Sequence, residues 1–266
     1  MLVIFLSIQI CHKLFYYVEG KMNNNIIKVG LPINNGTNLY PMVKNESTNI
    51  RPIKTVANDG VEIWNISFTS LDCTYIETVR HISSEGPFPP EVFAKRKAND
   101  IYRAIVAHLT VKEGEAINLS ELEPYLSKLN MGDALIVDAN GYTEKWLDKN
   151  NGVINTDEYN LKSPYFSTSA MQGIIDAGVS ILAGNFPSFS NPKTEEGFGI
   201  DMIAEFYRDW NNMILAPLIN LGKIEDKEVI LQINPIVMNN CCGLPCCPIV
   251  YQGELKQDFM RFMNID

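Results

Sequence analysis

Short apolar runs separated by Gly, Pro and Asn recur along the whole chain. One of them, Ile101 to Leu109, is partly β-branched and predicts a buried strand, as does Ala134 to Val137. The other runs between turn residues predict strands. The sequence places such strands at Ile26–Val29, Val61–Ile66, Ile101–Leu109, Ala134–Val137, Val179–Ala183, Val229–Ile233 and Pro248–Tyr251.

Helical periodicity appears between these runs. The start and stop signals predict three helices: one after Ser120, which forms a capping box with Glu123 and stops before Gly132; one from Ser167 or Thr168 to Gly178; and one from about Met202 to Trp210. Strands and helices that mix without strict alternation predict an α/β or α+β fold, built on a mixed β-sheet with flanking helices.

Composition limits the class of protein. The chain has 266 residues, of which 46% are apolar and 20% charged, which is typical of a globular protein with a sizeable core. The net charge of −9 argues against nucleic acid as a partner, because phosphate binding requires clustered Lys and Arg. No repeat or long linker divides the chain, so we expect a single domain over residues 22–266.

Residues 1–21 form an apolar leader with three open interpretations. Met1 to Cys11 is shorter than the roughly 20 residues that span a bilayer, and no basic residue precedes it. It is a poor signal peptide, an extension of a chain that truly starts at Met22, or a short export or anchor segment. We expect no membrane span and a cytoplasmic location, or a secreted or anchored protein if the leader is real.

One stretch, Asn65 to Ile82, carries spaced chemical residues: Leu71, Cys73-Thr74-Tyr75, Glu77 and His81. It resembles the signature of the cyclase family, the metal-dependent hydrolases typified by kynurenine formamidase. Further matches in the same order are Pro164 to Ser167, Gly184 to Ser190 and the strands from Val229 to Tyr251, so the resemblance covers about residues 25–251. In the Gly184 stretch, Asn185 and Ser190 stand where the family usually has Asp.

The resemblance implies a swivelling β/β/α cyclase-like domain, a homodimer with its site near the interface, and opening of amide, formamide or lactam bonds in small aromatic substrates. It also implies a zinc or manganese site, which requires several neutral imidazoles and carboxylates. Leu71 and Tyr75 replace two ligand histidines of the signature. The distal His and Glu fall near Ala204 or Ile203 and at Ala216.

Histidine is too scarce to rebuild that metal site elsewhere. The chain has three, of which His12 lies in the leader and His108 lies in an apolar run that predicts a buried, hydrogen-bonded imidazole. We therefore expect no metal or other cofactor. Glu77 and His81, four residues apart, remain as a candidate carboxylate–imidazole pair, with Tyr75 as a candidate phenol donor. The alternative is that Glu77 and His81 only hold the local backbone.

Two other clusters have simple structural interpretations. Glu205 and Asp209 predict a solvated acidic helix face rather than a cation site. Four of the six cysteines, Cys241, Cys242, Cys246 and Cys247, crowd one segment that predicts a turn with small apolar residues. A disulfide or lipid attachment there is the alternative, and the cysteines as a whole favour a reducing compartment.

These observations leave three hypotheses for function. The first is a pseudoenzyme that keeps the scaffold to bind a small aromatic ligand or a partner. The second is a hydrolase of a small amide, formamide or lactam, in which Glu77, His81 and Tyr75 act with a rebuilt or weak metal site. The third is an interaction subunit that pairs with an active chain.

Overall fold

The computed structural model describes residues 24–41, 46–96, 100–193 and 200–263. The leader, residues 1–21, lies outside these ranges. The strands are β1 (Ile26–Lys28), β2 (Asn49–Lys54), β3 (Ile63–Ser67), β4 (Tyr75–Thr78), β5 (Ile101–Leu109), β6 (Ala116–Ile117), β7 (Ala134–Ala139), β8 (Tyr165–Phe166), β9 (Ile181–Gly184), β10 (Met213–Ala216), β11 (Glu228–Gln232), β12 (Gly243–Pro245) and β13 (Ile249–Tyr251).

The helices are short, and most lie between strands that are neighbours in the sheet. They are α1 (Val56–Asp59), α2 (Pro89–Phe93), α3 (Leu119–Leu126), α4 (Tyr142–Lys149), α5 (Asp157–Leu161), α6 (Thr168–Asp176), α7 (Ile200–Phe206) and α8 (Glu254–Met263), with 3₁₀ turns at Val79–His81 and Leu221–Lys223. Among the described residues, no helix combines the length and apolar character needed to cross a bilayer.

Within the described ranges, nine strands form one mixed sheet in the order β1-β13-β11-β5-β7-β9-β10-β4-β12. The central strands β5, β7, β9 and β10 are parallel, and antiparallel strands extend the sheet on both sides. Parallel strands covered on both faces are apolar throughout, which explains why the sequence shows them as continuous runs. The prediction of a mixed sheet with flanking helices is confirmed.

Each face of the sheet has its own core. Along β7, Leu135 and Val137 pack on the face covered by α3 and α6, whereas Ala134 and Ile136 pack on the opposite face. This follows from the two-residue period of a strand. The same period on β4 sends Ile76 into the second core and leaves Tyr75 and Glu77 on the first face.

Most predicted strands are confirmed, but one belongs to a different sheet. The run at Val61–Ile66 forms β3, which pairs with β2 in a separate hairpin rather than with the nine strands. Its side chains are exposed, including Trp64 and Ile66. The predicted strand is therefore present, but it lies in an exposed hairpin.

The first predicted helix starts two residues earlier than expected. The capping box uses Asn118 and Glu121, whose carboxylate accepts from the Asn118 backbone N–H at 2.8 Å. The prediction of Ser120 and Glu123 was wrong, because Asn118 follows β6 directly and is itself a strong N-cap residue. The second helix is capped by Ser167, whose hydroxyl accepts from the Ala170 N–H, as predicted.

The cysteine segment is an edge strand rather than a plain turn. Gly243–Pro245 forms β12 and pairs antiparallel with β4. Cys246 is buried in the core next to it, and its thiol lies 3.6 Å from the Thr74 carbonyl. All cysteines in the described residues are free thiols, so the disulfide alternative was wrong.

Candidate functional site

A cavity of about 390 Å³ opens beside β4 on the first face of the sheet. The surface that it exposes is mainly apolar, although about half of its described lining residues carry a polar group. The apolar side chains are Leu71, Ile82, Pro187, Phe189, Ile203 and Ile214, and the others are Tyr40, Tyr75, Glu77, His81, Asn160, Ser188 and Ser190. All three site residues expected from the sequence therefore line one cavity.

Strand geometry explains how these residues meet. Tyr75 and Glu77 alternate with Ile76 on β4, so both point to the cavity side. The chain then turns through the 3₁₀ helix at Val79–His81, which brings His81 back beside Glu77. The His81 Nδ1 atom lies 3.7 Å from the Glu77 Oε2 atom. The predicted carboxylate–imidazole pair is therefore adjacent in space, although the contact is longer than a normal hydrogen bond.

Glu77 is held by a residue that the sequence did not point to. Its side chain is buried, and its Oε1 atom accepts a hydrogen bond of 3.1 Å from the Tyr207 hydroxyl. Tyr207 comes from the turn that follows α7, about 130 residues along the chain. A buried carboxylate needs such donors, so Tyr207 supplies part of what a metal or a second imidazole would otherwise provide.

The electrostatics of the pair favour a proton on His81. Contact with the Cys242 thiol and the nearby Glu77 carboxylate raise the pKa of His81 to about 9, against the opposing effect of burial. Burial also raises the pKa of Glu77, although His81 and Tyr207 act to lower it. Because the pKa of each residue is raised, Glu77 and His81 compete for one proton. The His81 side chain is 40% exposed and Glu77 is not, so we place the proton on His81, where water solvates the charge.

A cysteine joins this pair without forming a catalytic triad. The Cys242 Sγ atom lies 3.7 Å from His81 Nδ1, the same nitrogen that faces Glu77. A triad requires the nucleophile and the carboxylate on opposite ring nitrogens. The arrangement therefore does not relay a proton from the thiol through His81 to Glu77.

The Tyr75 hydroxyl donates its proton within the protein. The Tyr40 hydroxyl donates to the Pro187 carbonyl at 2.9 Å, which uses the one proton of Tyr40. The 3.0 Å contact between the Tyr40 and Tyr75 hydroxyls must then use the proton of Tyr75. Toward the cavity, Tyr75 presents an acceptor oxygen in this arrangement, rather than the donor that the sequence analysis expected.

Three solved structures resemble the chain over most of its length. An isatin hydrolase bound to the product analogue thioisatinate has a TM-score of 0.67 at 13% identity, over 91% of this chain and 99% of that chain. Isatin hydrolase A from Labrenzia aggregata gives 0.64 at 12% identity, over 90% and 98%. A novel cyclase gives 0.64 at 16% identity, over 85% and 88%. The chain has the fold of cyclase-type hydrolases. No protein-family model and no curated protein matches the sequence.

The cyclase-like fold raises the question of a metal, because related folds include a potential metal-dependent hydrolase with cyclase activity. In this chain, Glu77 and His81 are the only cavity-lining side chains of the described part that commonly bind zinc or manganese. No group of three or more His, Cys, Asp or Glu among the described residues could hold an ion. The donor set therefore does not fit a binuclear metal centre.

The positions where the resemblance to the cyclase family expects the distal His and Glu also carry apolar residues in this chain. Ile203 lines the cavity, whereas its alternative, Ala204, is exposed. Ala216 is buried on β10 opposite Tyr75, and it is Ile214 on the same strand that reaches the cavity wall.

The predicted acidic cluster of Glu205 and Asp209 does not join the site. Helix α7 ends at Phe206, so Asp209 lies beyond it, and the expected single acidic face was wrong. Glu205 pairs with Arg208 at 2.7 Å, and Asp209 accepts from Asn211. These contacts are local, and both carboxylates already have partners.

His108 belongs to a structural network at the ends of β5 and β7. Its Nδ1 lies 2.9 Å from Asp138, and its Nε2 lies 3.0 Å from the Ile224 carbonyl. Asn185, at a position where the cyclase family usually has Asp, donates to the other Asp138 oxygen at 2.7 Å. The prediction of a hydrogen-bonded imidazole is confirmed. The prediction of burial was wrong, because the His108 side chain is 39% exposed.

This network predicts a pH-dependent contribution to stability. The hydrogen bond with Asp138 raises the pKa of His108 above its ordinary value, despite partial desolvation. Because the pKa of His108 is higher in the folded state, its contribution to the free energy of unfolding is complete below the unfolded-state pKa of about 6.5. This contribution is lost as the pH rises through the folded-state pKa. We expect His108→Gln to lower the free energy of unfolding more at pH 5.5 than at pH 9, measured by urea denaturation. Gln172→Ala, on the surface of α6, should give a difference that does not change with pH. A larger loss at high pH would contradict the prediction.

The sequence did not indicate three hydrogen-bonding residues of the site: Tyr40, Asn160 and Tyr207. They come from a loop, from α5 and from the turn after α7, none of which carries a motif. Their burial among polar neighbours became visible only in three dimensions. No local pattern in the sequence pointed to them.

Proposed function

We propose that this chain is a pseudoenzyme, which uses a cyclase-like scaffold to bind a small ligand without metal chemistry. The observation that carries the proposal is the cavity beside β4, which is present but has Leu71, Tyr75 and Ile203 where the resemblance to the cyclase family expects metal ligands. These side chains cannot coordinate zinc or manganese through nitrogen or carboxylate oxygen. A metal-free binding site is what the remaining residues support best.

The size and lining of the cavity support a small aromatic ligand. Pockets that bind small molecules are mainly apolar, with a few polar groups that fix orientation. This cavity has a volume of about 390 Å³ and combines Phe189, Leu71 and two tyrosines with a small polar set. The cavity contains no Lys or Arg among its described lining residues, and Glu77 is balanced by His81. An uncharged ligand therefore suits it better than an anion.

The metal content of the purified protein tests this proposal. The untagged full chain, incubated with excess zinc or manganese and then desalted, is expected to contain neither metal above background by elemental mass spectrometry. A double variant, Glu77→Ala with His81→Ala, is the matched blank and should give the same reading. One or more equivalents of metal in the wild type, absent from the double variant, would overturn the pseudoenzyme.

The alternative function is hydrolysis of a small amide, formamide or lactam by Glu77 and His81. The observation that favours it is their 3.7 Å approach at the cavity wall. The same preparation can be assayed with N-formylkynurenine. Turnover that disappears in the double variant would favour the hydrolase, whereas turnover that survives would exclude these two residues from catalysis. The homodimer, the interaction-subunit hypothesis and the cytoplasmic location remain predictions.

A further inference from the structure

Among the cysteines that the structure describes, only Cys242 has its thiol within hydrogen-bonding distance of an imidazole. Its Sγ atom lies 3.7 Å from the His81 Nδ1 atom. The Thr78 N–H donates to the Cys242 carbonyl at 3.3 Å, which continues the pairing of β12 with β4. This pairing holds Cys242 beside the 3₁₀ turn that carries His81. The backbone therefore fixes both members of the thiol–imidazole pair.

The chemistry of this pair favours a thiolate on Cys242. A thiol beside an imidazole can transfer its proton to the ring, and the thiolate that results is the nucleophilic form of cysteine. Contact with Cys242 and the Glu77 carboxylate raise the pKa of His81 to about 9, so the ring carries a positive charge at neutral pH. Glu77 also accepts from Tyr207, so it does not depend on His81 alone for a hydrogen bond.

The pair can be reached from solvent, and no described thiol is placed to form a disulfide with Cys242. Cys242 is partly exposed, and the His81 side chain is 40% exposed. Cys241 donates to the Gly243 carbonyl at 2.8 Å and packs against the second core, on the other face of the sheet. Cys246 lies beyond β12, about 13 Å away along the strand, and Cys247 is one residue further. A nucleophilic Cys242 would therefore react with an external molecule.

We infer that Cys242 is a covalent modification site for uncharged soft electrophiles of the α,β-unsaturated carbonyl class, with His81 as its proton acceptor. The sulfur forms a bond to the β-carbon, the π electron pair of the carbon–carbon double bond moves to the α-carbon, and the proton held by His81 is transferred there. The thiol and the alkene supply every atom of the thioether, so no oxidant or further reactant is needed. An anionic reagent is disfavoured by the Glu77 carboxylate beside His81. This site goes beyond the proposed function, since it requires no ligand in the cavity beside β4.

The test uses N-ethylmaleimide on the full chain at pH 7, with the rate at each cysteine followed by tandem mass spectrometry. Cys247 is the matched control within the same molecule, because it is more exposed than Cys242. Exposure alone would make Cys247 react first. The thiol–imidazole pair is expected to make Cys242 react roughly fivefold faster than Cys247. In His81→Gln, Cys242 should react no faster than Cys247.

A second measurement detects the thiolate itself. Thiolates absorb in the ultraviolet at about 240 nm, where thiols do not. The spectrum of the wild type minus that of Cys242→Ser should show this absorbance at pH 7, and the same subtraction in the His81→Gln background should not.

Two results would overturn the inference: Cys247 reacting as fast as Cys242 or faster in the wild type, or no thiolate absorbance in the wild-type difference spectrum. A Cys242 rate that is unchanged in His81→Gln would likewise remove His81 from the site. If His81→Gln lacks a wild-type circular dichroism spectrum, the rates in the wild type and its difference spectrum with Cys242→Ser still decide the result, since neither depends on that variant.

Discussion

Replacing Phe186 with alanine is expected to lower the free energy of unfolding by about 3–5 kcal/mol, the usual cost of deleting a buried phenyl ring. Phe186 is fully buried, and its ring lies 5.6 Å from Phe166 and 5.1 Å from Phe189 between centroids. The cluster is closely packed, since a Cβ added at Gly184 would meet the Phe186 ring at 2.9 Å. The cavity left by alanine therefore has little room to collapse. Urea denaturation followed by circular dichroism measures the loss.

A surface aromatic provides the matched control. Trp210 is 48% exposed, and Trp210→Ala should change stability by no more than about 0.5 kcal/mol. A loss of stability similar to that of Trp210→Ala would show that the aromatic cluster is not part of the stabilising core.

The central sheet could be predicted because its strands are buried on both faces. Ile101–Leu109 and Ala134–Val137 appear in the sequence as unbroken apolar runs, which have few alternatives to a covered strand. Strand β4 is four residues long and contains Glu77 and Thr78, so it gave no such signal. Strand β10 is an unbroken apolar run of four residues, and the prediction missed it. The helices α4, α5 and α8 were also missed, because their apolar faces are narrow and tertiary contacts fix them.

Only the residues of the site that are close together in the sequence could be predicted. Glu77 and His81 are four residues apart, so their proximity follows from one strand end and one turn. Tyr40, Asn160 and Tyr207 approach from separate parts of the chain, and no local pattern links them to β4. The position of Cys242 beside His81 was likewise inaccessible, because β12 pairs with β4 across about 160 residues of sequence.

The buried carboxylate of the cavity wall has partners within the protein. In a metal site, the bound ion offsets the free-energy cost of burying the charged and imidazole groups that hold it. In this chain the same wall is filled by Leu71, Ile203 and Ile214, while the remaining carboxylate, Glu77, is satisfied by Tyr207 and His81. The described side chains therefore satisfy this carboxylate without an ion, which supports the proposed metal-free site.

A second large effect is expected at Arg103 on β5. Its guanidinium pairs with the Asp133 and Glu228 carboxylates and donates to the Lys128 carbonyl at 3.2 Å. Arg103 and Asp133 are both buried, so Arg103→Ala leaves a carboxylate without its cation and should lower the free energy of unfolding by about 3–5 kcal/mol. The loss should shrink as pH falls, because burial raises the pKa of Asp133 and the neutral acid needs no cation.

Two further variants test whether the unpaired Asp133 carboxylate causes the loss of stability in Arg103→Ala. Adding Asp133→Asn to Arg103→Ala removes that charge and keeps an acceptor oxygen for the Asn130 N–H, which donates to Asp133 at 2.7 Å. The double variant should therefore be more stable than Arg103→Ala alone, by urea denaturation at pH 7. Lys112→Ala breaks an exposed pair with Glu115 and should have little effect. Two results would contradict this prediction: Arg103→Ala no more destabilising than Lys112→Ala, or a double variant less stable than Arg103→Ala alone. Either would mean that the unpaired Asp133 charge is not costly and that the charge cluster does not stabilise the sheet.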